Sequence, residues 1–197
     1  MQPRKRATFA EVRDRTSKAA LVVFSQRGFE ASSVQRVADE VGMSKQALMH
    51  HFPTKESIRT VVFETLAEHL SEAFPAMHEQ IRSLSHEQYR QLIDDNANAL
   101  FGMPEVCRFL TRELLDRPQD TREWLCQQSW PFLAAIRKAS ETGGLRDGFD
   151  PEAHTIATAS LLLATSAMLK DVTCDETKER IKNACRRLIK VGSSVDK

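Results

Sequence analysis

The chain has 197 residues, of which 41% are hydrophobic and 28% charged, so it can bury a core as one large domain or two small ones. Only seven glycines and seven prolines occur, mostly between periodic segments, and no stretch alternates apolar and polar residues long enough for a sheet. The formal net charge of +1 divides unevenly: residues 1–60 carry 11 Lys+Arg against 6 Asp+Glu, and residues 61–197 carry 17 against 21. A basic first third beside an acidic remainder points to one end that meets a polyanion, although a solvated basic face alone would look the same.

Composition also narrows the setting. Four cysteines (Cys107, Cys126, Cys174, Cys185) are irregularly spaced and form no CxxC pair, which argues against a zinc site or a disulfide framework. Arg4, Lys5 and Arg6 lead into a polar segment, so no signal peptide is expected before the first helix. The uncharged run 155–169 is too short and too rich in Ser and Thr to span a bilayer. A reduced, cytoplasmic compartment without a membrane partner is the consistent expectation, and an all-α fold is the expected class.

In chain order, residues 1–8 form an arm in which Arg4, Lys5 and Arg6 suit either phosphate and minor-groove contact or a solubilising tail. A first helix is predicted from Phe9 to Arg27, where Phe9, Val12, Thr16, Ala20, Val23 and Phe24 recur every three or four residues. Gly28 closes it, and Phe29 is placed to fold back onto the cap.

Residues 32–55 (SSVQRVADEVGMSKQALMHHFPTK) then read as two short helices joined by a glycine turn, followed by the start of another. Val34, Val37, Ala38 and Val41 make one apolar stripe, and Ser32 with Gln35 has the spacing of a capping box. Gly42 supplies the turn, and Ser44 is the N-cap of a segment from Lys45 to His51. Seven residues at about 1.5 Å rise give a rod of about 10 Å, which fits a DNA major groove about 12 Å wide. Its inward side is Ala47, Leu48 and Phe52, leaving Lys45, Gln46, Met49 and His50 outward.

The run Gly28-Phe29-Glu30-Ala31-Ser32-Ser33-Val34, then Val37-Ala38, Val41-Gly42-Met43-Ser44, Leu48 and His51-Phe52-Pro53-Thr54-Lys55-Glu56 resembles the DNA-binding domain of the TetR family of bacterial transcriptional repressors. The resemblance covers roughly residues 9–60. It implies a three-helix helix-turn-helix domain over 1–55 and a helical effector-binding and dimerisation domain over 56–197. It further implies base contacts by Lys45, Gln46 and Ala47, where Lys45 suits guanine O6/N7, Gln46 adenine N6/N7 and Ala47 a thymine methyl. Phosphate contacts fall to Ser33, Ser44, Met49, His50, His51 and Lys55. The family usually has tyrosine where this chain has Met49, so the resemblance implies that one phosphate bond is either missing or supplied by His50 or His51. His51 equally suits simple packing beside Phe52.

Thr54 is placed to cap a helix over 56–73, whose broad face holds Ile58, Val61, Val62, Thr65, Leu66, His69 and Leu70. This helix is the expected lever between a sensor and DNA. Beyond Pro75, helices are predicted over 76–84, 87–101, 104–115 and 121–142, with a kink or break at Trp130-Pro131. Phe74, Met77, Phe101, Met103, Phe109, Trp124, Trp130 and Phe132 gather the bulky side chains of this region. The resemblance makes them candidates to line a small-molecule pocket, and an ordinary helical core would use the same residues.

Asp150-Pro151-Glu152 is a helix start, and the run 156–169 that follows is apolar or small on all sides. Such a helix must be covered all round, either by its own domain on one side and a second chain on the other or wholly as the core helix of a monomer. With an amphipathic helix over 175–191 it makes a four-helix homodimer interface whose expected members are Ile156, Ser160, Leu163, Ala164, Ala167, Ile181 and Leu188.

Three classes of function follow. A dimeric, ligand-responsive repressor binding a palindromic double-stranded operator leads, with no cofactor and no metal. An enzyme is disfavoured because no phosphate-binding glycine loop, HExxH or GxSxG occurs, and His69, His78 and His86 have no ligand spacing. An architectural nucleic-acid binder would share the basic first third but lack an effector pocket.

Overall fold

The computed structural model describes residues 8–80, 85–141 and 150–193, with side chains described over 8–71, 85, 87–138 and 150–189. Arg4, Lys5, Arg6, Gly143 and Gly144 lie outside the described residues, as do the side chains of Phe74, Met77 and His78. Among the described residues there are nine α-helices and no strand. The chain divides into two compact units, Met1–Leu70 and Ser71–Lys197.

The first unit holds α1 (Phe9–Arg27), α2 (Val34–Val41), α3 (Lys45–His51) and the start of α4 (Lys55–Gln80). Helix α1 opens on a full capping box: the Thr8 hydroxyl accepts from the Glu11 N–H, and the Glu11 carboxylate accepts from the Thr8 N–H at 2.7 Å. It closes at Gly28, whose φ of 80° suits glycine, and Phe29 folds back edge-on to Phe24 with ring centroids 5.4 Å apart. Val12, Ala20, Val23 and Phe24 of α1, Val37, Ala38 and Val41 of α2, Leu48 and Phe52 around α3, and Ile58, Val61 and Val62 of α4 are all buried.

Helix α4 does not stop before Pro75. It runs unbroken to Gln80, and no separate helix begins at residue 76. A proline forfeits one backbone N–H bond, and a helix this long tolerates that loss when tertiary packing holds the flanking turns.

The second unit contains α5 (His86–Phe101), α6 (Pro104–Asp116), α7 (Pro118–Glu141), α8 (Pro151–Leu169) and α9 (Asp175–Ser193). Helix α7 continues through Pro131, so of the kink or break expected at Trp130-Pro131 there is no break. Helix α8 is the hub, touching α5, α6, α7 and α9. Tyr89, Leu92, Ile93 and Phe101 from α5 meet Phe132, Leu133 and Ile136 from α7, Leu162 and Leu169 from α8, and Cys185 and Ile189 from α9 in one core. Ion pairs tie this unit at its rim: Arg137 grips both Glu152 oxygens, Arg108 meets Asp171 at 2.7 Å, and Lys170 meets Glu105.

Candidate nucleic-acid interface

A seven-residue helix is far below the length that is stable alone in water, so α3 must be held from outside. Leu48 is its peg, fully buried, with Phe52 buried immediately after it. Burying a leucine side chain is worth roughly 1.5–3 kcal/mol. At its start the Ser44 hydroxyl accepts from the Ala47 N–H at 3.1 Å.

The turn before it is a Schellman arrangement. Gly42 sits at φ 75°, ψ 37°, its N–H bonds the Asp39 carbonyl at 3.1 Å, and the Met43 N–H bonds the Ala38 carbonyl at 2.9 Å. Arg15 from α1 donates to the Val41 carbonyl, capping another end of α2 that the helix itself leaves open. Space around Gly42 is open, so it is the left-handed backbone that calls for glycine here.

The start of α2 differs from the sequence expectation by one residue. Ser33, not Ser32, is the N-cap, accepting from the Arg36 N–H at 3.2 Å. Ser32 is buried and donates to the Gly28 carbonyl at 2.6 Å, while Gln35 reaches forward to Asp39 at 2.7 Å. The Ser33 side chain is thereby exposed at the helix start, where its own O–H can still donate to an anion.

Lys45, Gln46, Ala47, Met49 and His50 are exposed along α3, Met49 by 38%. Ala47, expected on the inward side, stands in solvent with Lys45 and Gln46. His51 is half-buried in an aromatic group, with ring centroids 6.0 Å from Phe9, 6.3 Å from Phe52 and 5.7 Å from His50. Phe9 itself is exposed by 58%, and its pairing with the end of α3 joins residues too far apart for any local pattern to show.

Lys55 is engaged inside the protein. Its ammonium donates to the carbonyls of Phe29, Glu30 and Ser32 at 2.9, 3.3 and 3.2 Å and lies 4.2 Å from the centroid of the Phe29 ring. A direct phosphate bond from Lys55 would require one of these to break. Thr54 caps α4 as expected, its hydroxyl accepting from the Ser57 N–H at 3.0 Å.

The exposed row on a capped seven-residue helix, braced by α1 and α2, has the geometry of a major-groove reader. A profile of bacterial regulatory proteins of the tetR family matches residues 18–60. Among the chain's relatives, the HTH-type transcriptional regulator CymR of Pseudomonas putida is 29% identical over 100 residues, which are 49% of each chain. That match thus spans about half the length of CymR. UidR of Escherichia coli K12, another HTH-type transcriptional regulator, is 25% identical over 177 residues, 83% of each chain. The fold is shared with the transcriptional regulator FadR of Bacillus subtilis, solved in complex with stearoyl-CoA, at a TM-score of 0.64 and 18% identity over 91% of this chain and 98% of that one. Residues 18–60 are thus similar to the tetR-family regulatory proteins, and the fold is shared with a solved transcriptional regulator.

In the second unit, the bulky side chains singled out from sequence fall in different environments. Phe101 and Phe109 are buried, Trp124 is half-buried, and Met103 and Trp130 are exposed. Of the expected interface residues, Ile156, Ser160, Ala164 and Leu188 are exposed and Leu163 and Ile181 half-buried, whereas Ala167 is already covered within its own unit. Not all the cysteines are interior: Cys126 and Cys174 are exposed. Burial pushes the Cys107 and Cys185 thiols up, while a hydrogen bond with Thr177 draws the Cys174 thiol down.

Proposed function

We propose that this regulator is a cytoplasmic homodimeric repressor that reads a palindromic operator and lets go of it when a small-molecule effector binds the second unit. The observation that carries the reading is the exposed Lys45-Gln46-Ala47 row on a helix pegged by fully buried Leu48. Lys45 is suited to guanine O6/N7, Gln46 to adenine N6/N7 and Ala47 to a thymine methyl. The hydroxyls of Ser33 and Ser44 and the rings of His50 and His51 flank that row and supply phosphate contacts, which fix register without reading bases.

Dimerisation is supported by α8 and α9. Ile156, Leu161, Met168 and Leu188 remain exposed after α8 has packed against four neighbours. A homodimer that reads a palindrome in successive major grooves needs its two α3 helices about 34 Å apart, one turn of B-DNA.

Effector control is supported by kinship of fold: FadR was solved with stearoyl-CoA bound, and this chain shares that architecture. Helix α4 begins at the reading head and runs past Leu70 into the second unit, which makes it the part able to carry a change of state. The effector acts only through its different affinities for the DNA-competent and DNA-released states. The test is selection of bound duplexes from a random pool by the full chain. Inverted half-sites centred one turn apart are expected, and a pool that stays random would overturn the reading.

A further inference from the structure

Resting on the reading of the α2 start as a phosphate clamp, we infer that Lys55 is a positioning residue that pins the α1–α2 turn and so sets where Ser33 stands, and is not itself a phosphate ligand. An ammonium has three donors, and the structure gives this one three carbonyl acceptors, at 2.9 Å on Phe29, 3.2 Å on Ser32 and 3.3 Å on Glu30. The Phe29 ring, buried by its contact with Phe24, covers the charge from another side at 4.2 Å. These carbonyls all belong to the segment that ends in Ser33, the α2 N-cap.

The turn needs such a pin. It spans residues 28–33 without regular structure, and within it the Ser32 N–H bonds the Phe29 carbonyl and the Ser32 hydroxyl the Gly28 carbonyl, both short loops that leave the turn's place against α4 to longer-range bonds. Three carbonyl oxygens converging on one point repel one another unless a cation sits among them. Lysine suits the place because its head is compact and its three donors rotate to meet convergent acceptors, whereas the planar arginine fork suits two parallel ones. Lys55 is also the first residue of α4, directly after the Thr54 cap. The pin therefore joins the start of α4 to the start of α2, so that a tilt of α4 displaces the Ser33 clamp along with it.

Two full-chain variants, Lys55→Met and Lys55→Arg, test this through amide hydrogen exchange over residues 30–36 in DNA-free protein. Loss of bonds to a charged donor should speed exchange there by about tenfold in Lys55→Met, and Lys55→Arg should fail to restore protection. Binding to a duplex selected by the wild-type chain should weaken in both while the slope of log affinity against log salt stays unchanged. Unchanged exchange in both variants, with a salt slope lower by about one in Lys55→Met and restored in Lys55→Arg, would overturn the proposal and make Lys55 a phosphate ligand. Lys55→Arg retains the charge, so it carries the test if Lys55→Met does not fold. Ser33→Ala separates the underlying reading: an unchanged affinity there removes the α2 clamp and leaves the exchange result standing.

Discussion

Arg13 of α1 holds both carboxylate oxygens of Glu68 on α4, at 2.9 and 2.8 Å, across 55 residues of sequence, and reaches Glu64 at 3.2 Å as well. The Arg13 guanidinium keeps the Glu68 carboxyl below the usual carboxylate range and its own proton is held more tightly in return. Both acids are well exposed, so solvent and salt screen the pair and its contribution is small. Its sign is fixed by the depressed carboxyl. The stabilisation is present above the ordinary glutamate value of about 4.3 and is lost as pH falls through the lower folded-state value. Glu68→Gln is therefore expected to lower the melting temperature at about pH 7, and the gap to the wild type should shrink progressively as pH falls below about 4. Thermal unfolding of both proteins across that range checks it, and the neutral-pH gap should shrink in about 1 M salt.

Tyr89, the chain's one tyrosine, is fully buried, with its hydroxyl 2.8 Å from His154 Nδ1, 2.9 Å from Thr155 Oγ1 and 3.1 Å from the Pro151 carbonyl. Burial pushes its phenol up to about 12. A raised acid contributes stability that is whole below the unfolded value of about 10 and is lost as pH rises toward the folded one. Absorbance of tyrosinate should thus appear only in the strongly alkaline range and together with unfolding. Tyr89→Phe should remove that alkaline dependence and cost about 0.5–1.5 kcal/mol at neutral pH, by removing the hydrogen bonds of a buried hydroxyl. Denaturant titration and ultraviolet pH titration measure the two effects.

Thr16 lies wholly inside the first unit, and its hydroxyl has no hydrogen-bond partner among the described residues. Replacing an unsatisfied buried hydroxyl by a methyl of the same shape removes a desolvation cost. Thr16→Val is expected to stabilise the protein by about 1 kcal/mol, read as a higher urea midpoint with an unchanged slope. Loss of stability would show that the hydroxyl is used.

Leu188 on α9 is 65% exposed and Met168 on α8 is 72% exposed, large apolar areas for one protomer to leave wet. A charge in such a surface is not tolerated once a second copy covers it. Leu188→Arg should turn a dimer into monomers by sedimentation, with the helical content by circular dichroism retained. An unchanged sedimentation coefficient would place the interface elsewhere.

What the sequence made legible was local. The caps at Ser44, Thr54 and Asp150 and the turn at Gly42 each involve groups three to five residues apart, within reach of any spacing rule. Two adjacent serines defeated the rule at α2: Gln35 lies three residues after Ser32, yet it is Ser33 that accepts the Arg36 N–H. Pro75 and Pro131 read as interruptions because the cost of a proline is local, whereas both helices run on through them. The struts were invisible for the same reason. Arg13 to Glu68, Lys55 to Glu30 and Tyr89 to His154 join residues 55, 25 and 65 apart, and no periodicity links them. The charge of Lys55 was legible, but its partners are backbone carbonyls, which have no signature in side-chain identity.

The central claim, that α3 reads base edges through Lys45 and Gln46, is tested most directly by one titration. The wild-type chain, Lys45→Ala and Gln46→Ala are each titrated by fluorescence anisotropy against the duplex selected by the wild-type chain and against a scrambled duplex at the same salt. Each variant should lose about 1–3 kcal/mol on the selected duplex and little on the scrambled one, which relaxes preference at one position of each half-site. Equal losses on both duplexes would contradict the claim and make these side chains phosphate contacts.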